Sequence, residues 1–140
     1  MRTRSIKKPL SILATLFTLS MYPAIPAIRL MSSRPLSPER LEQELYEERQ
    51  KLSLEGKIIH IRYDPNDEMA NGSILAYAQK IDENKYNIVL GKNGLNVGSL
   101  RHELYHIADG HFETKNYSLM KYYFILEPQA NYYAAFGWKF

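Results

Sequence analysis

The chain contains no cysteine. A disulfide framework is therefore excluded, and so is a thiolate-bound metal; any ion must be held by His, Asp or Glu. No internal repeat and no low-complexity tract is visible in the 140 residues, which suffice for one small domain and not for two. Acidic residues are missing from the first 34 positions, where Arg2, Arg4, Lys7, Lys8, Arg29 and Arg34 lie. The formal charge of +3 comes from that segment, because the remainder carries 12 basic against 15 acidic residues, a net of −3. This is no nucleic-acid footprint, and no nucleic-acid partner is expected.

What the N-terminal stretch does have is a basic start, Met1 to Lys8, and an uncharged run from Pro9 to Ile28. That is the pattern of an export signal or a membrane anchor. Pro23 and Pro26 shorten its apolar helical part below a comfortable span, which favours a signal peptide. Cuts after Ala24 or Ala27 leave Tyr22 or Ile25 where a small residue is wanted, so residues 1–31 are read as a signal peptide or an uncleaved signal-anchor. Either places the rest of the chain outside the cytoplasm, exported or attached to the membrane. The same run as a buried N-terminal helix would instead leave the protein cytoplasmic.

Residues 32–38 read as a Ser/Pro/Arg linker. A helix is expected over 39–56, capped by Ser37, with Leu41, Leu45 and Leu52 as a narrow apolar stripe and Glu42, Glu44, Glu47, Glu48, Arg49 and Lys51 on a solvated face. No chemistry is assigned to it. Lys57 to Tyr63 alternates as a strand in which His60 is an ordinary strand residue. Ser73 to Ile81 and Lys85 to Leu90, joined by Asp82-Glu83-Asn84, predict an antiparallel hairpin. A helix capped by Asn96 or Ser99 follows and stops at Asp109-Gly110, with Gly110 suited to a left-handed position. The type of the apolar segment Leu119 to Leu126 stays open, and Pro128 to Phe136 reads as a final helix. The class is α+β, with a short, mainly antiparallel sheet.

The informative stretch is His102-Glu103-Leu104-Tyr105-His106. On a helix, positions i and i+4 share a face, so both imidazoles can reach one metal ion, and Glu103 stands beside it as a general base rather than a ligand. Two surface histidines on an amphipathic helix would give the same pattern. Leu100, Leu104, Ile107 and Ala108 form an apolar stripe, leaving the histidines to face a cleft. A reactive zinc site usually has three protein ligands, and Glu127, His111, Glu113 and Asp109 are the candidates for the third.

The segment Leu100 to His111, with its trailing Gly110-His111, resembles the active-site helix of the ImmA/IrrE family of HExxH metallopeptidases. The strands before it are similar to that family's sheet, and Glu127-Pro-Gln-Ala-Asn-Tyr-Tyr-Ala-Ala135 is similar to its ExxANxFA segment. The likeness covers about Lys57 to Phe136. It implies a zincin-like domain over 57–140, with the sheet packed on the motif helix and a C-terminal helix. It also implies Zn2+ held by His102, His106 and Glu127, and peptide-bond hydrolysis with Glu103 as the general base acting on a protein or peptide substrate. Two departures bear on geometry: Tyr105 adds bulk where the family has glycine, and Pro128 biases Glu127 away from helical dihedrals. They motivate the alternative of a non-catalytic zinc-binding or interaction module in which Tyr105 blocks the water position. Strand 85–90 is a candidate edge for substrate, and Tyr105, Tyr132 or Tyr133 a candidate oxyanion donor.

Overall fold

The computed structural model describes residues 33–71, 74–113 and 118–138. The expected signal or anchor over 1–31 lies outside them. Among the described residues no helix is long and apolar enough to cross a membrane. After a 3-10 turn at Pro38–Arg40 come α1 (Leu41–Lys51), β1 (Ile58–Tyr63), β2 (Ala76–Asp82) and β3 (Lys85–Leu90). A second 3-10 turn, Lys92–Gly94, leads into α2 (Val97–Ala108). A helical turn Leu119–Lys121, a π-helical turn Tyr122–Leu126 and α3 (Glu127–Phe136) complete the order. Ser37 stands at the cap position with extended backbone but makes no side-chain cap bond. The first helix ends at Lys51, short of Gly56, and Ser53 takes a left-handed conformation (φ 55°) in the turn that follows.

The α+β class holds, but the sheet is mixed rather than mainly antiparallel. Its strands run in the order β1-β3-β2. The hairpin pairs β2 with β3 antiparallel, and β1 lies parallel to β3 from Ile58 opposite Lys85 to Tyr63 opposite Leu90. The cause is in the sequence of β3, where Ile88-Val89-Leu90 are all buried. A continuous apolar run is stable only in a central strand, whereas β1 alternates as an edge strand does. Strand 85–90 is therefore not an edge open to substrate; β1 and β2 are the edges. Gly91 and Gly94 then pass so near the Ala70 and Leu75 carbonyls that a Cβ on either would lie 1.8 Å from the oxygen. Only glycine permits this tight exit from β3 toward α2.

Residues 33–36, expected as linker, are bonded into the domain. Leu36 N–H donates to Leu95 O and Val97 N–H to Arg34 O, and the Leu36 side chain joins the core. The expected solvated face of α1 is also wrong at two positions, since Glu44 and Glu48 are buried. Glu44 pairs with Arg34 at 2.5 Å. Glu48, 0% exposed, accepts from Lys51 at 2.7 Å, from Arg101 of α2 at 2.9 Å and from the Tyr133 hydroxyl of α3 at 3.2 Å. One carboxylate thus ties all three helices together. Burial by itself would raise its pKa, but the Arg101 and Lys51 hydrogen bonds outweigh that and hold it below the ordinary glutamate value.

Removing this carboxylate leaves Arg101 and the Tyr133 hydroxyl without their acceptor. Glu48→Ala is expected to destabilise the fold by about 3 kcal/mol in urea unfolding at neutral pH, the low end for a buried pair because the partners keep some hydration. The folded carboxyl titrates below the ordinary value of 4.5, so its contribution is full above that pH and is lost as pH falls through the folded value. The gap between wild type and variant should close on acidification. A gap independent of pH would contradict this role for Glu48.

Candidate metal centre

The motif helix α2 is fixed at both ends by local chemistry. Asn96, with extended backbone, accepts the Ser99 N–H at 2.8 Å, so Asn96 is the cap and Ser99 the capped residue. Ser33 Oγ reinforces this start, donating to Asn96 Oδ1 and accepting from Gly98 N–H. At the other end Gly110 is left-handed (φ 68°). Gly110 N–H bonds Ile107 O and His111 N–H bonds His106 O, the paired bonds of a Schellman cap. Between these ends Leu100, Leu104 and Ile107 enter the core as their spacing predicts. The opposite side is not a surface, because His102, Glu103 and His106 are buried as well. The helix Glu127–Phe136 packs against α2 and covers it.

That packing delivers the third donor. His106 Nε2 lies 3.1 Å from His102 Nε2 and 3.2 Å from Glu127 Oε1, and His102 Nε2 lies 3.4 Å from Glu127 Oε2. Glu127 is helical (φ −63°, ψ −45°) despite the proline after it, and its N–H bonds the Tyr122 carbonyl five residues back. The physical reason lies in the π-helical turn Tyr122–Leu126. In a regular α-helix the proline ring clashes with the carbonyl four residues back, and the wider turn relieves that clash. Pro128 thus sits in the first turn of α3, just after the wide turn, without turning Glu127 away. Burial alone would raise the Glu127 pKa, but hydrogen bonds and charge from His102 and His106 hold it well below the usual carboxylate range.

The other third-ligand candidates lie elsewhere. His111 meets His106 on the far nitrogen, Nδ1 to Nδ1 at 2.5 Å, and its Nε2 lies 3.1 Å from Asp109 Oδ2. Burial, and after it the neighbouring His106, lowers its pKa. Glu113 bonds Lys80 and the Tyr86 hydroxyl. Tyr105, 2% exposed, packs in the core with its ring 5.5 Å from that of Tyr133, and burial pushes its hydroxyl up to about 12. Tyr133 is committed to Glu48, and the Tyr132 ring lies 4.8 Å from that of Phe136. The tyrosine at the centre is Tyr122, which the sequence reading passed over. Its ring lies parallel to His106 at 6.3 Å. Burial, a hydrogen bond to Glu127 and the charges of Glu127 and Glu103 all raise its hydroxyl pKa. Glu103 therefore borders the same cleft. The signal for Tyr122 was its position five residues before Glu127, legible only once the π-turn is known.

No family model, curated protein or solved structure matches the chain. What the chain itself offers is a group, His102, His106 and Glu127, that can hold a metal ion. First-row divalent ions are expected to bind the wild type in equilibrium dialysis. His106→Ala or Glu127→Ala should weaken binding by roughly 100-fold or more, exceeding the usual effect of a residue behind the ligands. Retention unchanged in both variants would show that the group is not a metal centre.

Proposed function

We propose that the protein is a zinc-dependent endopeptidase with a zincin-like domain of the ImmA/IrrE kind. The observation that carries this reading is the donor triangle. Imidazole and carboxylate donors about 2.0–2.1 Å from a tetrahedral ion are roughly 3.3–3.4 Å apart. The two imidazole Nε2 atoms lie 3.1 Å apart, and the Glu127 carboxylate brings Oε1 to 3.2 Å from His106 and Oε2 to 3.4 Å from His102, each close to that edge. Two neutral nitrogens and one carboxylate, with no thiolate, are the donor set of water-activating zinc sites. Zinc bound there would supply a Lewis acid that polarises water and a substrate carbonyl.

The remaining work falls to side chains of this chain. Glu103 follows His102 on the helix, and its carboxylate is suited to take a proton from the attacking water and return it to the leaving amine nitrogen. The Tyr122 ring, parallel to that of His106 at 6.3 Å, borders the donor group on the side of Glu127. An extended peptide would lie along β2, the sheet edge beside the motif helix, and pair with its outer backbone groups. The basic start and apolar run of residues 1–28 support export or membrane attachment, with the domain outside the cytoplasm. The alternative of a non-catalytic zinc module was motivated by Tyr105 and Pro128. Burial of Tyr105 beside Tyr133 and the helical backbone of Glu127 weigh against it.

Zinc content and cleavage of an unfolded protein substrate, measured on wild type and Glu103→Gln, test the proposal. The wild type should carry zinc and cleave. The variant should keep its zinc and lose about 100-fold or more in rate, the usual worth of a general base. Equal cleavage by both proteins, or a wild type with no affinity for zinc, would sink it.

A further inference from the structure

Outside the three donors, the residue most tightly joined to them is His111. The Schellman cap brings its backbone N–H to 3.0 Å from the His106 carbonyl. The same turn sets its ring against the ring of His106, with Nδ1 2.5 Å from Nδ1 and centroids 4.8 Å apart. Its Nε2 lies 3.1 Å from Asp109 Oδ2, and the side chain is only 4% exposed. His106 is thus held on one nitrogen by the donor triangle and on the other by His111.

We propose that His111 is a positioning residue, which with Asp109 forms a relay that fixes the ring and tautomer of His106 for metal binding. The inference rests on the zinc reading and follows from proton counting. A neutral imidazole carries one N–H and one lone pair. His106 Nε2 faces Glu127 and His102, so it must present its lone pair to an ion, and the proton sits on Nδ1. That proton is donated to His111 Nδ1, which must then be the acceptor. The His111 proton is left on Nε2, where it is donated to the Asp109 carboxylate. The reverse arrangement places a proton on the metal-facing nitrogen of His106 and sets a bare His111 nitrogen against a carboxylate. Only the first arrangement leaves His106 ready to bind. A partner on the second nitrogen of a metal-binding histidine fixes its orientation and raises its basicity. Here an imidazole stands between that histidine and the carboxylate.

The test is a zinc competition titration against a chromophoric chelator, using the full chain as wild type, His111→Leu and His111→Gln, with the Co(II) absorption spectrum of each. His111→Leu should bind zinc about 10- to 100-fold more weakly and change the Co(II) spectrum. His111→Gln, whose amide oxygen can accept the His106 proton, should stay within a few-fold of the wild type (about threefold or less by analogy with other retained hydrogen bonds). Should His111→Leu fail to fold, Asp109→Ala takes its place, with a loss of about tenfold. Wild-type affinity in His111→Leu or in that substitute overturns the proposal. So does a loss in His111→Gln as large as in His111→Leu, which would reduce His111 to packing. A wild type that binds no zinc refutes the metal reading itself, whereas failure of the relay alone leaves the wild type tight.

Discussion

The site depends on one constraint: the helix carrying Glu127 must stay pressed against the helix carrying His102 and His106. A carboxylate on one element and imidazoles on another meet within 3.4 Å only if the two helices keep their register. Apolar packing supplies the attraction, through Leu100, Leu104 and Tyr105 of α2 against Ala130 and Tyr133 of α3. Packing of this kind is non-directional and tolerates sliding. Direction comes from Glu48, whose hydrogen bonds to Arg101 and Tyr133 hold the two helices at fixed points on the side of α1. A buried carboxylate with three donors is costly to desolvate and costly to break, which makes it a register pin rather than a large net source of stability.

A second constraint acts within the chain around each donor. The Asn96 cap and the Gly110 turn bound α2 so that its histidines sit one turn apart on the same face, and the latter also folds His111 back onto His106. The π-turn does the equivalent for Glu127, absorbing the proline and bringing the Tyr122 hydroxyl to the carboxylate. Local backbone rules thus place groups that would otherwise need long-range luck to meet.

Features that depend on short-range spacing were legible in the sequence: the i, i+4 histidines, the hairpin over β2 and β3, the Gly110 stop, and the final helix through Phe136, although it starts at Glu127 rather than at Pro128. Glu127 as third donor came from the family likeness rather than spacing, since Asp109, His111 and Glu113 all lie nearer to His106 in the chain. What stayed hidden depends on partners distant in sequence. Glu48 looked solvated because it stands among other charges, and its burial follows from Arg101 and Tyr133, 53 and 85 residues away. The mixed sheet was missed although Ile88-Val89-Leu90 carried the mark of a central strand. Pro128 pointed the wrong way, because its steric bias against helical dihedrals at the preceding residue is a preference, which Glu127 overrides within a continuous run of helical backbone.

X-ray absorption at the zinc edge of the zinc-loaded full chain reads the donor set itself. Binding by His102, His106 and Glu127 predicts nearest neighbours that are all light N/O donors with the outer scattering of two imidazoles, one imidazole contribution lost in His102→Ala and carboxylate scattering lost in Glu127→Ala. A shell with one imidazole or none, or a spectrum unchanged by both substitutions, would contradict it.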